Sequence, residues 1–144
     1  MTGYKMRKIT LDAKLNRLDE VLTFVDSALE DLHCPVRAQM QLDVAVEELF
    51  VNIASYAYGS GVGPATIIIE TENDPPAVEV TFIDRGVPYN PLLKPDPDVT
   101  LSAEKRQIGG LGIFMVKKSM DDMTYEFRDG CNIVKIRKLL SPAR

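Results

Sequence analysis

The chain has 144 residues, of which 45% are apolar and 26% charged, and carries a formal net charge of −4. Those values suit one soluble globular domain with a single sizeable core, and they lack the basic stripe interleaved with aromatics that a nucleic-acid footprint needs. One histidine, His33, cannot build a His-rich metal site, and the two cysteines, Cys34 and Cys131, form no CxxC pair and read as reduced, buried thiols.

The N-terminal MTGYKMRKITLDAK lacks the apolar centre of a signal peptide, and no apolar run approaches membrane-spanning length, so a cytoplasmic protein is expected. Tyr4 to Leu11 alternates weakly, as an edge strand would. From Leu15 to Leu32 the apolar positions Leu15, Leu18, Leu22, Val25, Leu29 and Leu32 recur at helical spacing. His33 falls near the end of that helix. Pro35 then suits the first turn of a second helix, about Val36 to Tyr58, whose apolar face is Leu42, Val46, Leu49 and Ile53 and which ends at Gly59. Ala65 to Thr71 and Ala77 to Asp84 read as two strands hairpinned through NDPP.

Arg85 to Ile108 holds four prolines and little periodicity, and a loop of that length in a compact domain is usually a functional lid or disordered. Gly109, Gly110 and Gly112 close it and run directly into a helix that reaches about Met120. MTYEFRD and NIVKIRKLL, joined at DGCN, form a C-terminal hairpin with an Asp-Gly turn. The order predicts an α/β sandwich of two layers, with a mixed, mostly antiparallel sheet and its helices on one face.

Three constellations carry possible chemistry. Glu48, Asn52 and Tyr56 stand at i, i+4 and i+8 of the second helix and project from one side of it. A carboxylate there suits a general base and an amide oxygen suits a hard cation such as Mg²⁺; taken alone, the pair reads as a solvated helix face. Glu47 points about 100° away and reads as a surface carboxylate. Asp84 ends a strand before Arg85 and Gly86; a carboxylate there can accept from an exocyclic amine while Gly86 admits a flat ligand, and taken alone it is a strand-ending turn. The run QIGGLGIFMVKKSMD places bare amides, those of Gly109, Gly110, Leu111 and Gly112, at a helix start, where unpaired N–H groups and the dipole favour anions. It lacks the Gly-Lys-Ser/Thr of a Walker loop and the GxGxxG of a dinucleotide fold, and by itself it is equally a packed loop-to-helix entry. Lys117 and Lys118 lie too far along to meet phosphate together and read as surface charges.

In order, E-x-x-x-N on a helix, D-x-G after a strand, and a long loop closing on G-x-G before a helix resemble the GHKL (Bergerat) ATP-binding fold. Length and detail are similar to the small bacterial anti-sigma-factor serine/threonine kinases of the SpoIIAB/RsbW type: EELFVNIASYAY resembles their N-box, DRGVPYNPL their first glycine box and GGLGIFMVKKSMD the second. The resemblance covers essentially the whole chain as one domain, 1–144, with an ATP lid at about 85–110. It implies ATP and Mg²⁺ as cofactors, Glu48 as general base, and Asn52 as the metal-ligating amide. Asp84, with Gly86 beside it, would read the adenine amine, and the amides of Gly109, Gly110, Leu111 and Gly112 would meet the phosphates. The implied partners are a sigma factor and a STAS-domain antagonist that receives the phosphate on serine or threonine, with a homodimer possible. A non-catalytic, nucleotide-dependent switch that sequesters a protein partner is the alternative; an ATPase or histidine-kinase-like module fits less well, because no long phosphoacceptor hairpin is present. Two positions depart from the family pattern: Tyr56 stands where many relatives have histidine, and Val87-Pro88 follow Gly86 where others have a further glycine.

Overall fold

The expected N-terminal strand is β1, Lys5–Asp12. A single 3₁₀ turn at Leu15–Arg17 leads into α1, Leu18–Asp31, followed by α2, Val36–Tyr56. Strands β2, Pro64–Asn73, and β3, Pro76–Asp84, come next, and a second 3₁₀ turn covers Pro91–Leu93. Helix α3, Gly110–Ser119, and the strands β4, Asp122–Arg128, and β5, Cys131–Leu139, complete the chain. The structure, a computed structural model, describes residues 4–73, 75–93 and 110–140. Gly109 and most of the 85–110 lid lie outside the described residues.

The strands form one sheet in the order β1-β2-β3-β5-β4, and β1 is an edge strand as its weak alternation predicts. The sheet is expected to be mixed and mostly antiparallel; all four pairings among the described residues are antiparallel. For two of the pairings the physical reason is short connections: β2–β3 and β4–β5 are tight hairpins, which only antiparallel strands can form. At the second hairpin Asp129 and Gly130 have φ of 55° and 77°, the two left-handed residues of a type I′ turn.

Register puts Ile67 opposite Phe82 and Phe82 opposite Val134, with Ile69, Val80 and Ile136 one step along the same face. That face meets Val25, Leu29, Leu42, Val46 and Phe50 of α1 and α2 in one buried core. The opposite face carries charge instead: Lys135 lies 3.5 Å from Glu79, and Arg137 lies 3.6 Å from both Glu79 and Glu72. Such half-exposed pairs add little stability.

The buried face of α2 is the one expected, with Leu42 and Val46 fully enclosed and Leu49 and Ile53 nearly so. On α1 the expected stripe faces the core: Val25 and Leu29 are fully enclosed, together with Val21 and Ala28, and Leu18, Leu22 and Leu32 pack partly buried against it, while Leu15 is 59% exposed in the preceding turn. The helical period was extended one turn too far, because a 3₁₀ turn places its side chains every 120° rather than every 100°. His33 adopts φ 58° just past α1. Its amide donates to Glu30 and that of Cys34 to Leu29, both at 3.0 Å, closing the helix as a Schellman motif normally built on glycine. Both cysteines are half-buried rather than enclosed.

Between α1 and α2 two carboxyl groups meet. Asp43 Oδ1 is sealed from solvent without a hydrogen-bond donor, and Gln39 Nε2 donates to Asp26 Oδ1 at 3.2 Å. Burial first, then the bond to and charge of Asp26, push the Asp43 carboxyl up to about 7, and a proton shared with Asp26 would satisfy the orphan oxygen. The folded chain therefore holds a proton that an unfolded aspartate releases near pH ~4. Stability is accordingly expected to fall as pH rises from about 4 to 7 and to level off above. Because the pair is partly solvated, Asp43→Asn is expected to raise the melting temperature at pH 8 by only a few degrees and to flatten its decline between pH 5 and 8. Thermal denaturation across that range checks it; parallel wild-type and variant curves would rule the shared proton out.

Candidate functional site

The apolar stripe of α2 fixes how that helix rolls on the sheet, and so where its polar residues go. With Leu49 and Ile53 turned inward, Glu48 and Asn52 come out half-buried beside them, and Tyr56 is 54% exposed one turn later. Asn52 and Tyr56 face the end of β3.

The chain after β3 is tied to the C-terminus of α2. Val87 N–H donates to Ala57 O at 2.9 Å, satisfying one of the carbonyls a helix end leaves over. Gly86 lies so close that a β-carbon there would overlap the Ala57 backbone and side chain. Close approach of loop to helix gives this glycine a packing reason beside the expected one of admitting a flat ligand. Tyr58 adds a second tie, donating to Pro64 O at 2.5 Å and accepting from Arg85 N–H at 2.8 Å.

Asp84 is only 5% exposed, and among the described residues both hydrogen bonds of its side chain use Oδ1: Gly86 N–H and Asn132 Nδ2, each at 2.9 Å. Asn132 is equally enclosed, at 4%, and sits directly opposite Asp84 in the β3–β5 register. Its Nδ2 also donates to Val87 O at 2.9 Å, while its Oδ1 accepts from Tyr89 N–H at 3.0 Å and from the Tyr125 hydroxyl at 2.5 Å.

These groups border a cleft open to solvent on one side, whose lining includes Asn52, Tyr56, Asp84 and Tyr89 over an apolar floor of Ile53 and Phe82. Its mostly apolar lining with a few polar groups is suited to a planar heterocycle held by few polar contacts. The Tyr56 and Tyr89 rings meet at its lip, centroids 6.2 Å apart and tilted by 37°. Tyr56 thus engages the loop after β3 through its ring.

At the other side of Glu48 the start of α3 arrives. A β-carbon on Gly112 would overlap the Glu48 carboxylate where it lies, so the bare position lets α3 seat against α2 without displacing that side chain. Gly110 and Leu111 form the first turn of α3. Lys118, whose Nζ lies 5.5 Å over the Phe114 ring, is an exposed charge as expected. Glu48, Asn52, Asp84, Gly86 and Gly112 are thus gathered around one end of the sandwich, from segments up to 64 positions apart in sequence. Among the described residues no three His, Cys, Asp or Glu side chains form a metal cage. Asn52 on the cavity wall fits the alternative, a hard cation that takes one protein oxygen and completes its shell from phosphate and water. Asn132 was missed, and a signal for it existed: Asn132, Val134 and Ile136 share one face of β5, so an amide stands at a core-facing position.

A family model described as a histidine kinase-like ATPase domain matches residues 11–138. The serine/threonine-protein kinase BtrW of Bordetella bronchiseptica is 27% identical over 106 residues, 74% of each chain. The serine-protein kinase RsbW of Listeria monocytogenes is 30% identical over 98 residues, 65% of this chain and 61% of that one. A solved Mycobacterium tuberculosis chain comprising RsbU and RsbW domains superposes with a TM-score of 0.69 at 19% identity, covering 97% of this chain and 34% of its own. That last likeness shows a shared fold.

Proposed function

The chain belongs to the histidine kinase-like ATPase domain family, and on that premise we propose that it binds ATP and transfers the γ-phosphate to a serine or threonine hydroxyl of a STAS-type anti-sigma-factor antagonist. The observation that carries the proposal is the convergence on one cavity of Asn52 and Asp84, with Glu48 and the start of α3 at its side. The names of the relatives, serine and serine/threonine kinases, support the choice of acceptor.

In this reading Asp84 accepts from the adenine amine through Oδ2, the oxygen that no described hydrogen bond uses. The apolar floor holds the base. Asn52 turns its amide oxygen toward the phosphates, where Mg²⁺, when bound, would neutralise charge. Amides in the first turn of α3, at Gly110, Leu111 and Gly112, donate to phosphate, aided by the helix dipole. The acceptor hydroxyl attacks the γ-phosphorus, its proton passes to Glu48, and the bond to the β–γ bridging oxygen breaks to release ADP. Little covalent work falls to the protein, so positioning dominates.

A second reading, a non-catalytic switch, is favoured by the packing of Glu48 against Gly112, which occupies the would-be base in this conformation. Incubation with labelled ATP and a STAS partner separates the two. Label on the partner is expected, whereas nucleotide-dependent binding without transfer would install the switch. Calorimetry with Mg-ATP is expected to show binding weakened about tenfold by Asn52→Ala, on the scale of one charge-assisted contact; unchanged affinity would remove Asn52 from the metal shell. A sigma factor as competing partner, a homodimer through β1 and α1, and a cytoplasmic setting belong to the same reading. Among the described residues no helix is long and apolar enough to cross a membrane.

A further inference from the structure

We propose that Asn132 is a positioning residue for base recognition: it clamps Asp84 and the loop after β3 into one rigid unit, leaving a single carboxylate oxygen to read the base. The inference rests on the nucleotide-binding reading above and extends it to a residue outside the three motifs.

Every polar atom of the Asn132 side chain is used, and only one orientation of the amide satisfies its neighbours. Two donors, Tyr89 N–H at 3.0 Å and the Tyr125 hydroxyl at 2.5 Å, converge on Oδ1. Two acceptors, Asp84 Oδ1 and Val87 O, each lie 2.9 Å from Nδ2. Flipping the amide would set donor against donor and acceptor against acceptor. Because Asn132 is 4% exposed and Asp84 5%, water cannot substitute for a lost partner without cost.

The consequence falls on Asp84. Held by Gly86 N–H and Asn132 Nδ2, its Oδ1 is committed, and the carboxylate cannot rotate. What remains toward the cavity is an acceptor, complementary to the exocyclic amine of adenine and opposed to the carbonyl of guanine. The same amide holds Val87 O and Tyr89 N–H, so the segment that carries the Tyr89 wall of the cavity is fixed by the atom group that orients the reader. Tyr125 lies on the edge strand β4 and props the clamp from behind. A side chain that only filled the core would need none of these directed bonds.

Calorimetry with Mg-ATP and Mg-GTP on the full chain tests this. Asn132→Ala is expected to weaken Mg-ATP about tenfold or more, the scale of a lost charge-assisted bond, and to leave Mg-GTP nearly unchanged, shrinking the ratio of the two affinities. In an Asp84→Asn background the same substitution is expected to cost little more, because the two act through one oxygen. Tyr125→Phe keeps the packing and removes only the hydroxyl; it is expected to shift the ratio in the same direction by a smaller factor, and it carries the test should Asn132→Ala fail to fold. Wild type that binds Mg-ATP alongside folded variants with an unaltered ATP-to-GTP ratio would overturn the clamp and spare the nucleotide reading. Wild type that binds neither nucleotide would overturn both.

Discussion

Glu48→Gln is expected to lower phosphoryl transfer to a STAS partner by about 10²–10⁴-fold, the usual contribution of a positioned general base, while Mg-ATP affinity changes little. Glutamine keeps the length and the packing against Gly112 that glutamate makes. What it cannot do is accept the proton of the incoming hydroxyl. An effect confined to the chemical step is the signature of an interaction made only in the transition state. Single-turnover transfer with labelled ATP, read beside calorimetry, separates the two quantities. Equal losses in transfer and binding would mean that Glu48 supports the seat of α3 rather than the chemistry, and the base would have to be sought elsewhere.

Asp84→Asn carries the second large effect, and it falls on binding. The new side chain can still accept from Gly86 N–H and Asn132 Nδ2 through Oδ1, so the clamp and the fold are expected to survive. In place of Oδ2 it presents an NH₂ to the cavity, where the adenine amine would meet a donor. Loss of a charge-assisted bond and its replacement by an unpaired donor together predict a Mg-ATP affinity lower by about 100-fold. The same donor matches the guanine carbonyl, so Mg-GTP should gain relative to Mg-ATP. A melting temperature near that of wild type confirms that the change is local. Tight Mg-ATP binding by folded Asp84→Asn would show that Asp84 does not read the base.

Much of this site was legible in the sequence because its parts lie on regular elements. The i, i+4 spacing of Glu48 and Asn52 puts them on one side of any helix, and the buried stripe from Leu42 to Ile53 fixes which side faces the core. Asp84 is legible as the last residue of a β-branched, alternating run, and the Asp-Gly turn at 129–130 sets the final hairpin. Less was legible at Gly86 and Gly112. Both glycines stand out in sequence, yet their reasons, contact with Ala57 and with Glu48, come from segments distant along the chain. The start of α1 was misplaced for a related reason, since a leucine at helical spacing does not say whether a 3₁₀ turn or an α-helix carries it.

The sequence by itself determined the elements, their order and the polar residues each one offers, because helical and strand periodicities are local properties of the backbone. Only the tertiary structure decided which of those residues meet. The antiparallel register that sets Asn132 beside Asp84, the docking of the loop on Ala57, and the seating of α3 on Glu48 depend on how two layers pack. Such contacts are fixed by burial and complementary hydrogen bonding between surfaces far apart in the chain, and one residue of slippage in a strand would turn Asn132 out of the site.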